Sequence, residues 1–188
     1  MLKRIYVVLF LLFFLVGCAN QTPKEYEIIF TEEFIAAQGY TQSTWAHELR
    51  KDGVYEEVGL NQDDGSVALK INNHQQEYWH NNIQLQLRSL RLKIGMRNQS
   101  YKFVHADDCK TAELYFDAKL DEKDASRYLK EASLYCSLRQ LIEGEDKDNW
   151  YVNISIYNSD TNQLVKSATN REAISLPTKK EWASSSVK

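Results

Sequence analysis

Two long segments carry apolar residues at every third or fourth position, and each follows a pair of short alternating runs. This pattern limits what the chain can build. In His74 to Ile94, the residues Trp79, Ile83, Leu87, Leu90 and Ile94 share one face of a helix, and Tyr78, Leu85 and Leu92 widen that stripe. Asn73 offers a cap before this helix and Gly95 a stop after it. The second segment is capped by Asp121 and runs to about Ile142, with Tyr128, Leu129, Ala132, Tyr135, Cys136 and Ile142 toward one side. Ahead of both, Thr31 to Gln38 and Thr41 to Lys51 have the cap residues and apolar spacing of short helices.

The runs between the helices have the period of strands. Val54 to Leu60 and Ser66 to Asn72 flank Asn61-Gln62-Asp63-Asp64-Gly65, an Asp-Gly turn of the kind that closes hairpins. Tyr101 to His105 and Thr111 to Leu120 form a second pair, and Trp150 to Tyr157 and Leu164 to Thr169 a third. The order hairpin, helix, hairpin, helix, hairpin is a weak internal repeat without residue identity. It predicts an α+β fold: an antiparallel sheet of five or six strands with two long helices packed on one face.

The N-terminus differs from the rest. Lys3 and Arg4 precede Ile5 to Val16, an uncharged apolar run of 12 residues, against the roughly 20 needed to cross a bilayer. That length suits a signal peptide, and the run closes on Leu15-Val16-Gly17-Cys18. The segment resembles the lipobox of bacterial lipoproteins. The resemblance implies that Cys18 is acylated and becomes the mature N-terminus, on the extracytoplasmic face of the cell membrane. Each buried methylene is worth about 0.8 kcal/mol, so two or three acyl chains anchor the protein firmly. The expected divisions are a signal peptide at 1–17, a lipidated tether at 18–25, an α+β domain at 26–170 and an irregular tail at 171–188. Asp64-Gly65-Ser66-Val67 followed by Tyr78-Trp79 is also similar to small uncharacterised lipoproteins of Gram-positive bacteria, over residues 31–170. That likeness brings no activity with it.

Charge and motif content narrow the function. Without Lys3 and Arg4 the formal charge of −3 becomes −5. A mildly acidic chain argues against nucleic acid as a partner and against further electrostatic docking to anionic lipid. No glycine-rich phosphate loop, G-x-S-x-G or H-E-x-x-H occurs, and no cofactor is expected. His74, Glu77 and His80 read H-x-x-E-x-x-H, which lacks the i,i+4 histidine spacing of zinc proteases. Among Gln75, Gln76, Asn81 and Asn82, a solvated first turn accounts for them, and no metal is assigned. Asn158-Ser159-Asp160-Thr161-Asn162 has the alternation of a calcium loop but puts Gln163 and Thr169 where Gly and Glu are needed, and hairpin chemistry explains it together with the acidic turns Asp63-Asp64-Gly65 and Asp107-Asp108.

Cys109 and Cys136 could form one disulfide closing a loop of about 27 residues, against the alternative of a buried inert Cys136 beside a partly exposed Cys109. Neither is paired with a histidine at this level. Of the eleven tyrosines and four tryptophans, Trp79, Tyr115 and Trp150 are the candidates for an aromatic binding surface. The expectation is a non-enzymatic, membrane-anchored domain that binds another envelope protein or serves as a structural accessory. The alternative is a small-ligand or glycan binder.

Overall fold

The computed structural model describes residues 23–171 and 175–186. The chain runs β1 (Glu25–Phe30), α1 (Glu32–Ala37), α2 (Gln42–Lys51), β2 (Glu57–Leu60), β3 (Val67–Asn72), α3 (Asn73–Arg97), β4 (Lys102–His105), β5 (Thr111–Phe116), α4 (Glu122–Ile142), β6 (Asn153–Asn158), β7 (Leu164–Thr169) and α5 (Lys179–Ser185). This is an α+β protein, but its strands form two sheets, where one was expected.

The first sheet has the order β1-β3-β2 and is antiparallel throughout. β1 was not anticipated. Only Ile28 and Phe30 of its Tyr-Glu-Ile-Ile-Phe run are buried, and the outward Ile29 blurs the alternation. The strand pairs along the whole of β3, with Ile28 opposite Leu69 and Phe30 opposite Val67. The Asp64-Gly65 turn joins β2 to β3, and Gly65 holds the positive φ of 69° that the turn requires.

The second sheet has the order β4-β5-β6-β7 and departs from the expected antiparallel pattern, because β5 and β6 run parallel. The reason is topological. A hairpin turn reverses the chain, whereas α4 carries it back over the sheet so that β6 restarts in the direction of β5. α3 does something different: it leaves β3 in the first sheet and delivers the chain to β4 in the second. The hairpin–helix repeat is therefore a likeness in element order, and its two helices play different topological parts.

Capping follows side-chain chemistry closely. Asp121 caps α4 by accepting from the Lys123 and Asp124 amides, as expected. For α3 the cap is Asn72, one residue earlier than the expected Asn73, because the Gln75 side chain returns to the Asn72 amide and completes a capping box. The tail after 171 was expected to be irregular, yet it contains α5, started by a Thr178–Glu181 capping box and held by buried Trp182.

α3 and α4 pack antiparallel. Gln76 Nε2 donates to the Ile142 carbonyl at 2.8 Å, Lys93 pairs with Glu131 at 3.2 Å, and Arg97 pairs with Asp124 at 2.7 Å. Their burial differs sharply: α4 buries eleven of its 21 residues, α3 only five of 25. α4 is thus an inner helix, and α3 keeps one side open.

Where α3 gives way to β4, Tyr101 is buried and its hydroxyl donates to Asp117 Oδ1 at 2.7 Å. Burial, reinforced by Asp117, pushes the phenol up to about 12. An unfolded tyrosine ionises near pH 10. Between these values the unfolded state gives up a proton that the folded state keeps, so this contribution is intact below about pH 10 and is lost as pH rises toward 12. The urea midpoint should fall across that window, and less steeply in Tyr101→Phe. Parallel profiles would show that Tyr101 ionises as it does unfolded.

Candidate functional site

The residues singled out from the sequence separate on folding. Leu15 to Cys18 lie outside the described residues. Trp79 is 7% exposed with its indole nitrogen donating to the Val54 carbonyl, and Trp150 is 1% exposed against Phe34, so both are core. Tyr115 stands apart on the outer side of the second sheet, half-buried. Tyr157 stacks on its ring at 4.8 Å, and the Lys102 ammonium sits 4.0 Å from its centroid. No shared aromatic platform joins these three residues. His80 turns to the Glu143 carboxylate at 3.1 Å, while His74 is exposed. Among the described residues no group of three His, Cys, Asp or Glu side chains could hold a metal.

Two features emerge instead. The first is the outer side of α3. Tyr78, Leu85, Leu92 and Met96 were expected, Met96 apart, to widen the buried stripe, but they are 43, 60, 61 and 86% exposed. At about 100° per residue they centre about 155° away from Trp79, Ile83, Leu87, Leu90 and Ile94. They form a separate narrow line along the opposite side. Tyr78, Leu85 and Leu92 are one heptad apart, and Asn82, Ser89 and Met96 occupy the intervening half-heptad positions.

Exposed Arg88 lies about 65° to one side of this line and Arg91 about 125° to the same side, and neither has an ion-pair partner among the described residues. The local charge is concealed by the acidic whole. From Tyr78 to Ala106 there is no Asp or Glu, against Arg88, Arg91, Lys93, Arg97 and Lys102. A charge count by window would have found this stretch, whereas net charge over the chain did not.

The second feature surrounds Cys109. Both Cys109 and Cys136 are free thiols and fully buried, so the partly exposed Cys109 expected from the sequence is not observed. Cys109 takes a left-handed φ of 56°, a conformation that costs a non-glycine residue about 1 kcal/mol. Its carbonyl accepts from Gln140 Nε2 at 2.9 Å, which clamps the β4–β5 turn to α4. Its sulfur lies 3.7 Å from His105 Nδ1 and 3.8 Å from Arg139 Nη1.

The Cys136 thiol acting as donor, with help from His105 and Arg139, pulls the Cys109 thiol below its ordinary value; the same coupling and deep burial push Cys136 up. Cys109 in turn raises the His105 imidazole. The sequence reading missed His105 although it precedes Cys109 by four residues.

A broad groove of about 1750 Å³ also runs beside α4, bordered by Ala37, Leu129 and Trp182. On its lining Asn170 Nδ2 donates to Ser133 and to Ser137 beneath it, whereas the buried Gln38 Nε2 has no hydrogen-bond partner among the described residues. No helix among the described residues is long and apolar enough to cross a membrane.

The fold and these two surfaces define an α+β domain of two sheets with an open outer helix. No family model matches the chain, and no curated protein or solved structure matches it.

Proposed function

We propose that this protein is a lipoprotein held on the extracytoplasmic face of the cell membrane through Cys18. In this reading its domain is a non-enzymatic docking module that receives an acidic amphipathic helix of another envelope protein along α3. The observation that carries the docking reading is the exposed line Tyr78, Leu85, Leu92 and Met96 beside unpaired Arg88. Four large apolar side chains exposed in line along one helix mark a candidate interaction surface.

The width of the line selects the occupant. A helix lying in a lipid interface needs a broad apolar face, and this line is a single residue wide with Asn82 and Ser89 within it. Heptad spacing is the seam of a helix pair, and polar half-heptad positions fix register at some cost in stability. Charge then disfavours a second copy. Pairing two α3 helices would set unpaired Arg88 against its own copy, Lys93 and Arg97 being held by Glu131 and Asp124 of α4, whereas an acidic helix is attracted and steered in.

Distance fits the anchor. Six residues separate Cys18 from β1, a reach of about 20 Å when extended, so the domain works close to the bilayer. A glycan-binding role has less support, because both faces of the Tyr115 ring are occupied within the protein and Trp79 and Trp150 are buried.

Two measurements test the halves of this reading separately. Metabolic labelling with an acyl-chain probe should mark the protein and vanish in Cys18→Ala; persistent label removes the anchor. A photo-crosslinking amino acid placed at Leu85 or Leu92 in cells should give one protein adduct that maps to an acidic amphipathic helix, with none from exposed Lys130 of α4. Adducts to lipid, to a second copy of this chain, or equally from both helices overturn the docking reading.

A further inference from the structure

The thiol cluster takes no part in helix docking, and its arrangement has a chemistry of its own. Cys109 and Cys136 are 27 residues apart in sequence, and both are buried at the junction of the β4–β5 turn and α4. Every polar group placed on the Cys109 sulfur is a donor. His105 Nδ1 lies 2.9 Å from the Ala106 carbonyl, which can only accept, so that nitrogen carries its proton and presents it to the sulfur as well. Arg139 approaches with Nη1, three residues along the helix from Cys136.

Charges facing the cluster come from each packed element. They are His105 from β4, Cys136 and Arg139 from α4, and Asp108 and Lys110 beside Cys109 in the turn. Arg139 is tied to Glu143 and Lys110 to Glu145, and Arg91 of α3 faces His105. Inert structural cysteines sit among apolar groups; a sulfur ringed by donors is built to carry negative charge.

We propose that Cys109 and Cys136 are a reversible dithiol–disulfide pair, with Cys109 as the attacking thiolate, Cys136 as the resolving thiol, and His105 and Arg139 as positioning residues that hold the charge on the Cys109 sulfur. The oxidant is a disulfide, either a small molecule or an oxidoreductase. The Cys109 thiolate attacks one sulfur of the disulfide R–S–S–R, breaks that bond and releases one thiolate, leaving a mixed disulfide on Cys109. Cys136 gives its proton to the departed thiolate, attacks the Cys109 sulfur and expels the second R–S⁻, which takes a proton from solvent. Two protein thiols are oxidised, and one disulfide is reduced to two thiols. Because both sulfurs are buried, the turn at 106–110 must lift from Gln140 and Glu145 to admit the oxidant.

The test uses the full chain carrying Cys18→Ala, whose remaining thiols are Cys109 and Cys136. It is equilibrated in glutathione buffers of graded ratio, trapped with an alkylating agent and weighed intact. Oxidising ratios should remove two hydrogens with no glutathione retained, and excess reduced glutathione should restore them. Adding Cys136→Ala should leave a glutathione adduct on Cys109, and its rate of formation should move to higher pH by about one unit when His105 or Arg139 is changed to Gln.

Thiols that stay free across the whole range, or an adduct on Cys136 in preference to Cys109, overturn the pair. An unchanged pH profile in both Gln variants overturns the positioning roles. Near-UV circular dichroism checks that each variant is folded. If Cys136→Ala is not, the mass change of the parent chain decides the question alone. These outcomes are independent of the docking reading, since the acyl label and the α3 crosslink do not involve either thiol.

Discussion

Trp150→Ala should cost about 4 kcal/mol of folding free energy, the usual loss when a buried tryptophan becomes alanine. Trp150 stands ahead of β6 in the chain, yet its ring meets Phe34 of α1 edge-on at 4.9 Å. Phe34 in turn contacts Phe30 of β1 and Trp45 of α2 at 5.2 and 5.6 Å. The indole is therefore where the second sheet's connections meet the aromatic cluster built on the first. Over the indole ring lies the Arg171 guanidinium, whose Nε donates to the Trp150 carbonyl and whose Nη2 donates to the Asp148 carbonyl. Those two bonds are to backbone and survive the substitution, so the loss is one of packing and cavity.

Domains of this size are stable by about 5–15 kcal/mol, so the variant should sit near the threshold of folding. Trp150→Phe, which keeps an edge toward Phe34, should lose much less. Urea denaturation followed at the helical circular dichroism band measures both. A loss below about 1.5 kcal/mol for the alanine variant would mean that the two sheets do not depend on this contact.

The same contact illustrates what a sequence can carry. The long helices and the three hairpin turns were legible because their signals are local: a 3.6-residue period, an Asp or Asn cap, an Asp-Gly turn. The assignment of strands to two sheets was not, since nothing in Thr111–Phe116 or Asn153–Asn158 records that these strands run side by side in the same direction. That pairing follows from the path of α4 across the sheet. β1 was obscured by its outward Ile29, while α5 was announced by the Thr178-x-x-Glu181 capping box and passed over within a polar tail.

The candidate sites divide in the same way. His105 four residues before Cys109 is a local signal, whereas Arg139 and Cys136 join them only because α4 packs against the β4–β5 turn. On α3 the heptad spacing of Tyr78, Leu85 and Leu92 was visible from the start, but their side was not. A run of eight apolar residues around one helix fits a wide buried face as well as it fits two narrow opposed ones. What decided between them was α4, which covers only one side of α3.

If the proposed docking is correct, Leu85→Glu together with Leu92→Glu should weaken the partner's binding by at least 100-fold, since buried anchors at the centre of an interface are commonly worth about 2 kcal/mol or more each. Carboxylates add a second penalty. They would face the acidic flanks of the partner helix, and like charges brought together across an interface cost affinity and slow association. Both positions are more than half exposed and far around the helix from the core residues, so folding should change little. The pair thus separates a docking role from a structural one, with the unfolding midpoint held and the α3 crosslink lost. Arg88→Ala should act differently, lowering the association rate and flattening its salt dependence while leaving the apolar seam in place. Equal crosslinking in the parent and the double-glutamate variant would show that the exposed line on α3 is not where the partner sits.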